Sequence, residues 1–271
     1  LMDRLIIGIY CVCDDLLGRE GKIARKDQKI TDAEVMTIAL VACYGFGGNY
    51  SMARWMLAEQ HYIPMLSKSR YSRRLHQIRD TFLRLFAQLA DVSKANNPTH
   101  VYALDSFPIA ACDNIRIRNC RLYQEECYRG YVASKRRYFY GLRLHLLVTM
   151  TGQPVEFFLV PGNASDAASL AFYDFDLPLP ARIVADKAFT HYALEDLFAE
   201  VGIDFAPIRK SNSKRQVSPD EALLRASQRH LVESVGARFN ARLPKHIHAT
   251  SQLGFELKCV LFVLVLAFDR L

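Results

Sequence analysis

At 271 residues, 51% of them hydrophobic and 23% charged, the chain is long enough to bury a core and too apolar for a disordered or low-complexity polymer. Lysine and arginine number 35 against 28 acids, and the net charge of +7 is the footprint of a polyanionic partner such as nucleic acid. The seven cysteines include no CxxC pair, which fits neither a zinc framework nor a disulfide scaffold; they read as small buried hydrophobes in a reducing, cytoplasmic compartment.

The opening residues carry no secretory signal, since Asp3 and Arg4 interrupt them and Leu5 to Val12 lacks a small-residue cleavage site. Residues 1 to about 95 read as helical. Thr31-Asp-Ala-Glu34 is a capping box before an apolar run to Ala42, and Gly45, Gly47 and Gly48 break that helix. Ser51 is the expected cap of a short second helix that ends before Pro64. A third, from Ser67 or Ser69, carries Leu75, Ile78, Phe82, Leu85, Phe86 and Leu89 at helical spacing. Its start bears Lys68, Arg70, Arg73 and Arg74, a basic face suited to a phosphate backbone, and the pattern admits a helix-turn-helix. The polar segment 91–100 marks a boundary, so the expected domains are a helical DNA-binding region, 1–96, and a second domain, 97–271.

Val101-Tyr-Ala-Leu-Asp105 is an apolar strand running into an acid, with Pro108 beyond it. A buried carboxylate is costly unless a cation, a hydrogen-bond network or a cleft receives it, so Asp105 calls for partners. Arg182-Ile-Val-Ala-Asp186 repeats the pattern 81 residues later, and Glu233 lies in a helical segment 47 residues beyond that. Between these, Arg116, Arg118, Arg121, Arg129, Lys135, Arg136 and Arg137 interleave with Tyr123, Tyr128 and Tyr131, a mixture suited to backbone contact and base stacking. From Tyr138 the period becomes two, and Thr151-Gly-Gln-Pro154 turns the chain into a returning strand, Val155 to Val160. A helix with Ala167, Leu170, Phe172 and Tyr173 follows. After the strand ending in Asp186 come a helix from Tyr192 to Val201, a strand from Ile203 to Ile208, the basic loop of Arg209, Lys210, Lys214 and Arg215, and a long helix from Pro219. The run Cys259 to Phe268 holds ten residues, about half the 20 that a bilayer span needs, and reads as a buried helix.

The order strand, strand, strand, helix, strand, helix, strand, helix is that of the ribonuclease H fold. The expected class is therefore α/β (α+β), a ribonuclease H-like mixed five-stranded sheet with flanking helices, preceded by the all-helical region. In that fold the first and fourth strands are neighbours, so Asp105 and Asp186 would meet, with Glu233 reaching them from the last helix. Breaking a phosphodiester needs an activated nucleophile and a stabilised leaving oxygen, which two Mg2+ ions about 4 Å apart supply. Carboxylate oxygens suit this hard cation, and Mn2+ can substitute. Asp105 is the expected bridging ligand, with Asp186 and Glu233 each on one ion. Arg229, four residues before Glu233, lies on the same helical face and would orient it or bind phosphate. Other constellations are weaker: Ser106 has no nucleophile elbow, His145 reads as a packed strand residue, and His246 and His248 lack a third ligand.

The motifs Leu104-Asp-Ser-Phe-Pro108 with Cys112 and Arg116, Tyr140-Gly-Leu-Arg-Leu-His145, Pro161-Gly-Asn163 with Asp166, Ala185-Asp-Lys187 and Arg229-His-Leu-Val-Glu233 together resemble bacterial insertion-sequence transposases of the DDE class, in particular the nine-eighty-two insertion-sequence family. The resemblance implies an enzyme that binds double-stranded DNA at terminal inverted repeats, cleaves at the element ends and joins a 3′-hydroxyl to target DNA. It also implies a synaptic homodimer, a bacterial cytoplasmic, nucleoid-associated location, and no membrane. The Tyr and Lys that flank the Arg and Glu in related transposases are replaced here by Ala226 and Asn240, with Arg238 and Arg242 as the alternative cations for the Lys role. The alternatives are a ribonuclease H-fold nuclease or resolvase without strand transfer, and a transposase-derived DNA-binding repressor with a dead site.

Overall fold

The computed structural model describes residues 2–22, 28–244 and 246–268, without the side chains of residues 134, 229, 231, 232 and 235. In chain order the helices and strands are α1 (Met2–Arg19), α2 (Asp32–Gly45), α3 (Tyr50–Glu59), α4 (Lys68–Gln77), α5 (Arg79–Ala95), β1 (Val101–Asp113), β2 (Arg129–Val132), β3 (Arg137–Thr149), β4 (Pro154–Pro161), α6 (Asp166–Ser169), β5 (Ala181–Ala185), α7 (Tyr192–Glu200), β6 (Ile203–Pro207), α8 (Pro219–Arg242) and α9 (Gln252–Phe268). They form two compact units, one of residues 1–88 with 239–271 and one of residues 89–238.

In the first unit α2 is the central helix, buried at Ala33 and from Val35 to Cys43 without a polar face. The Thr31–Glu34 capping box starts it as its sequence predicts. Such a helix must be covered on every side. Helices α1, α3, α4 and α9 all pack on it. That is why 239–271 group with the N-terminal helices instead of the sheet, unlike the expected 97–271 domain. The apolar run is indeed a buried helix, and among the described residues no helix is long and apolar enough to cross a membrane. Two local expectations change. Asn49, not Ser51, caps α3, its Oδ1 accepting from the amides of Ser51 and Met52 at 3.1 Å. The expected single third helix is α4 and α5, because the chain departs from helical geometry at Ile78.

In the second unit the sheet order is β2-β3-β1-β5-β6, with β4 also paired to β3. The path β4-β3-β1-β5-β6 is the expected ribonuclease H-like arrangement: β1 antiparallel to β3, and β1, β5 and β6 mutually parallel. The sheet has six strands rather than five. The extra one, β2, lies in the basic, tyrosine-bearing segment, and it pairs with the first four residues of β3. Its four residues, RGYV, are too short for a period of two to show.

Candidate functional site

The site is set first by strand register. The β1–β5 ladder pairs Val101 with Arg182 and continues in step to Leu104 with Ala185. Asp105 and Asp186 are the next residue on each strand, and the backbone at Asp186 is still extended, with φ −69° and ψ 161°. Neighbouring strands lie about 4.8 Å apart and residues at one level share a face, so the two carboxylates stand side by side where β5 ends, while β1 runs on past Asp105 to Asp113. Both are half-buried. Asp105 also lies opposite Leu146 of β3, and Phe107 opposite Leu144 on the same face.

The third acid depends on α8, which is attached at two places. Near its start Glu221 takes both Arg182 of β5 and Arg225, whose Nη1 donates to the carbonyl of Pro207 at 2.8 Å. Burial tends to raise the Glu221 carboxyl, but the hydrogen bonds from Arg225 and Arg182 bring it below the usual range. Further along, Gly236 rests on Phe107: a Cβ placed there would stand 2.6 Å from the ring Cε1. Only glycine permits that approach. Phe107 is two residues after Asp105 on one strand face, and Glu233 is one helical turn before Gly236. The contact fixes the turn of α8 that follows Glu233 against β1. The Glu233 side chain is 54% exposed, and one oxygen is 3.5 Å from His230 Nδ1. Among the described residues no group of three or more His, Cys, Asp or Glu side chains is gathered closely enough to hold a metal ion. The strand register brings together Asp105 and Asp186.

The opposite face of the sheet holds a network that sequence reasoning missed. The amide of Ser106 donates to Asp105 Oδ1 at 2.8 Å, and its hydroxyl donates to Asp166 Oδ1 at 2.7 Å. Arg143 Nη1 reaches the same hydroxyl at 3.1 Å and Asp166 at 3.5 Å. Asp166 therefore fixes the residue that in turn holds the Asp105 carboxylate. Its motif and the alternation of Arg143 with His145 were visible, but nothing in a sequence pairs Ser106 with a residue 60 positions away. His145 is fully buried among Phe158, Tyr173 and Phe189, with Nε2 3.8 Å from Asp166, as a packed strand histidine should be. Burial, helped by the Arg143 charge, pushes its pKa down to about 3, so it is neutral. Phe189 also closes the turn after Asp186 by donating its amide to that residue's carbonyl at 3.0 Å. One aromatic cluster thus backs the segments that carry both aspartates.

The profile of the transposase DDE domain family matches residues 95–248, more than half of the chain and all six strands. The chain belongs to that family. No curated protein and no solved structure matches it.

The cations expected to meet DNA in this transposase fall into two sets. Arg70, Arg73, Arg116, Arg118, Lys135, Arg136, Arg137, Lys187, Lys210 and Lys214 are solvent-exposed. Arg74 is instead tied to Asp32 and the Ile30 carbonyl, and Arg209 lies in a buried bidentate pair with Glu195, at 2.9 and 2.7 Å. Arg215 is exposed but paired with Asp196 at 2.7 and 2.8 Å. The side chain of Arg229 lies outside the described ones. Of the cysteines, Cys13, Cys43, Cys112 and Cys259 are buried as expected, while Cys11 is exposed and Cys120 and Cys127 are intermediate. Burial, together with Cys120 beside it, pushes the Cys112 thiol up to about 12.

Proposed function

We propose that this DDE-family transposase is a divalent-metal-dependent enzyme that cuts DNA at the ends of its element and joins them to target DNA. The carrying observation is the β1–β5 register that sets Asp105 beside Asp186. Asp105, Asp186 and Glu233 are the acids we assign to two Mg2+ or Mn2+ ions. The donor set fits: hard oxygens from two adjacent half-buried carboxylates, a third carboxylate on an anchored helix, and open coordination left for water and phosphate. When bound, the ions would lower the pKa of the attacking water or hydroxyl and neutralise charge on the leaving oxygen.

The protein's own work is to hold these acids in place before DNA arrives. Ser106 N–H fixes one oxygen of Asp105. Asp166 and Arg143 hold Ser106 from behind. Glu221 and Gly236 set the path of α8 and so the position of Glu233. The exposed cations would carry the phosphate backbone. Synapsis of two element ends requires two active sites, and we infer a homodimer on paired ends.

The test is cleavage and joining of supercoiled plasmid and element-end DNA in Mg2+, Mn2+ or EDTA. The unsubstituted chain should cut and join only with metal. Asp105→Ala, Asp186→Ala and Glu233→Ala should each reduce cutting about a thousandfold, roughly 4 kcal/mol of barrier, while still binding DNA. A triply substituted chain that still cuts would place the chemistry elsewhere. Cutting without any joined product would favour a nuclease, and metal-independent DNA binding without cutting a repressor.

A further inference from the structure

The hairpin of β2 and β3 carries a surface that the carboxylates do not use. Tyr131 and Tyr138 are direct cross-strand partners, with ring centroids 4.9 Å apart. They are 45% and 47% exposed, far more than most tyrosines of the sheet. The Arg129 guanidinium lies over the Tyr138 ring, 4.3 Å from its centroid. Lys135 and Arg136, between the two strands, are exposed as well.

The other side of the hairpin is closed. A Cβ on Gly130 would stand 2.5 Å from both the Phe139 ring and the Gly162 carbonyl, so that face is packed against the body of the sheet. Alternation then directs Arg129, Tyr131 and Tyr138 outward together. A cross-strand tyrosine pair alone stabilises a hairpin modestly. That accounts for the pairing, but not for two half-exposed rings, one of them under a guanidinium, beside further cations.

We propose that Tyr131, Tyr138 and Arg129 form a stacking platform for unpaired bases of DNA. Duplex DNA turns its base faces inward and offers phosphates; only an unpaired base has a free π-face for a tyrosine to cover. Placement supports the same occupant. Along β3, Tyr138 is eight residues from Leu146, the residue opposite Asp105, and an even step keeps it on the same strand face. At about 3.3 Å per residue the platform is roughly 26 Å from the aspartates, within reach of a DNA end whose cut site they hold. The proposal rests on the DNA-cutting reading above.

The experiment measures binding of the full chain to fluorescent oligothymidylate and to a duplex of matched charge, at one salt concentration. Tyr131→Thr/Tyr138→Thr keeps strand-forming residues and should weaken single-strand binding about tenfold or more, with duplex binding changed less than about twofold. Tyr131→Phe/Tyr138→Phe keeps the rings and should restore single-strand binding. Equal losses on both DNAs, no loss on either, or failure of the phenylalanine pair to rescue overturns the platform. A native chain that binds duplex but not oligothymidylate also overturns it and leaves the cutting reading intact. A chain that binds neither overturns both.

Discussion

Two basic segments of this transposase look alike as strings of residues and do opposite things. The loop 209–215 faces α7, which presents Glu195 and Asp196 in succession. Arg209 is drawn into a buried pair with Glu195, Arg215 pairs with Asp196, and Tyr192 lies beneath both guanidinium groups, its ring centroid 5.6 and 4.9 Å away. In the hairpin 129–137, Lys135 and Arg136 are exposed, and Arg137, 3.4 Å from Asp113, keeps half of its side chain in water. One segment pairs both of its guanidinium groups with acids of α7, and the other presents Lys135 and Arg136 outward. A count of lysines and arginines cannot tell these cases apart, because the deciding acids come from another element.

The largest effect that would test this contrast is on stability. Arg209→Ala leaves the buried Glu195 only the longer contact with Arg215, 3.6 Å away, and should cost about 3 kcal/mol in urea unfolding. The double substitution Arg209→Met/Glu195→Leu should recover most of that loss. A loss below about 1 kcal/mol for Arg209→Ala would mean that the pair fastens nothing, and the contrast would fail. On the other side, Lys135→Ala/Arg136→Ala should leave stability within about 0.5 kcal/mol. It should nonetheless weaken DNA binding and lower the slope of log affinity against log salt by about 2. An unchanged slope would remove the hairpin from the DNA interface.

Arg215→Ala sharpens the comparison with the smallest effect. The hydrogen bond from Arg215 holds the Asp196 carboxyl below its usual pKa. A depressed folded-state pKa means the pair contributes above the ordinary Asp pKa and its contribution is lost as pH falls through the depressed value. Removing Arg215 should move the Asp196 titration upward toward the ordinary value in carbon-detected NMR. A titration that stays put would show that another group holds Asp196.

Much of the site was legible because β-structure is periodic. Apolar runs ending in Asp105 and Asp186, the turn at Thr151 to Pro154, and the order of elements pointed to one sheet with those acids on adjacent strands. The Glu233 helix was legible too, but its seat was not: the Gly236 to Phe107 contact is one glycine among 13 in the chain. The back-face support was hidden for the same reason, since Ser106, Arg143 and Asp166 meet only after β1, β3 and the β4–α6 connection are in place.

What the chain determined alone were the local elements and their chemistry, because capping, turn formation and alternation act over a few residues. Thr31–Glu34, the β3–β4 hairpin and the apolar runs leading into Asp105 and Asp186 are of that kind. What only the tertiary structure decided were partners distant in sequence: whether Arg209 meets Glu195 or solvent, whether β2 pairs with β3, and whether α9 covers α2 or the sheet. Hydrogen bonds and burial between remote segments depend on which surfaces the whole chain brings together, and residue spacing does not encode those meetings.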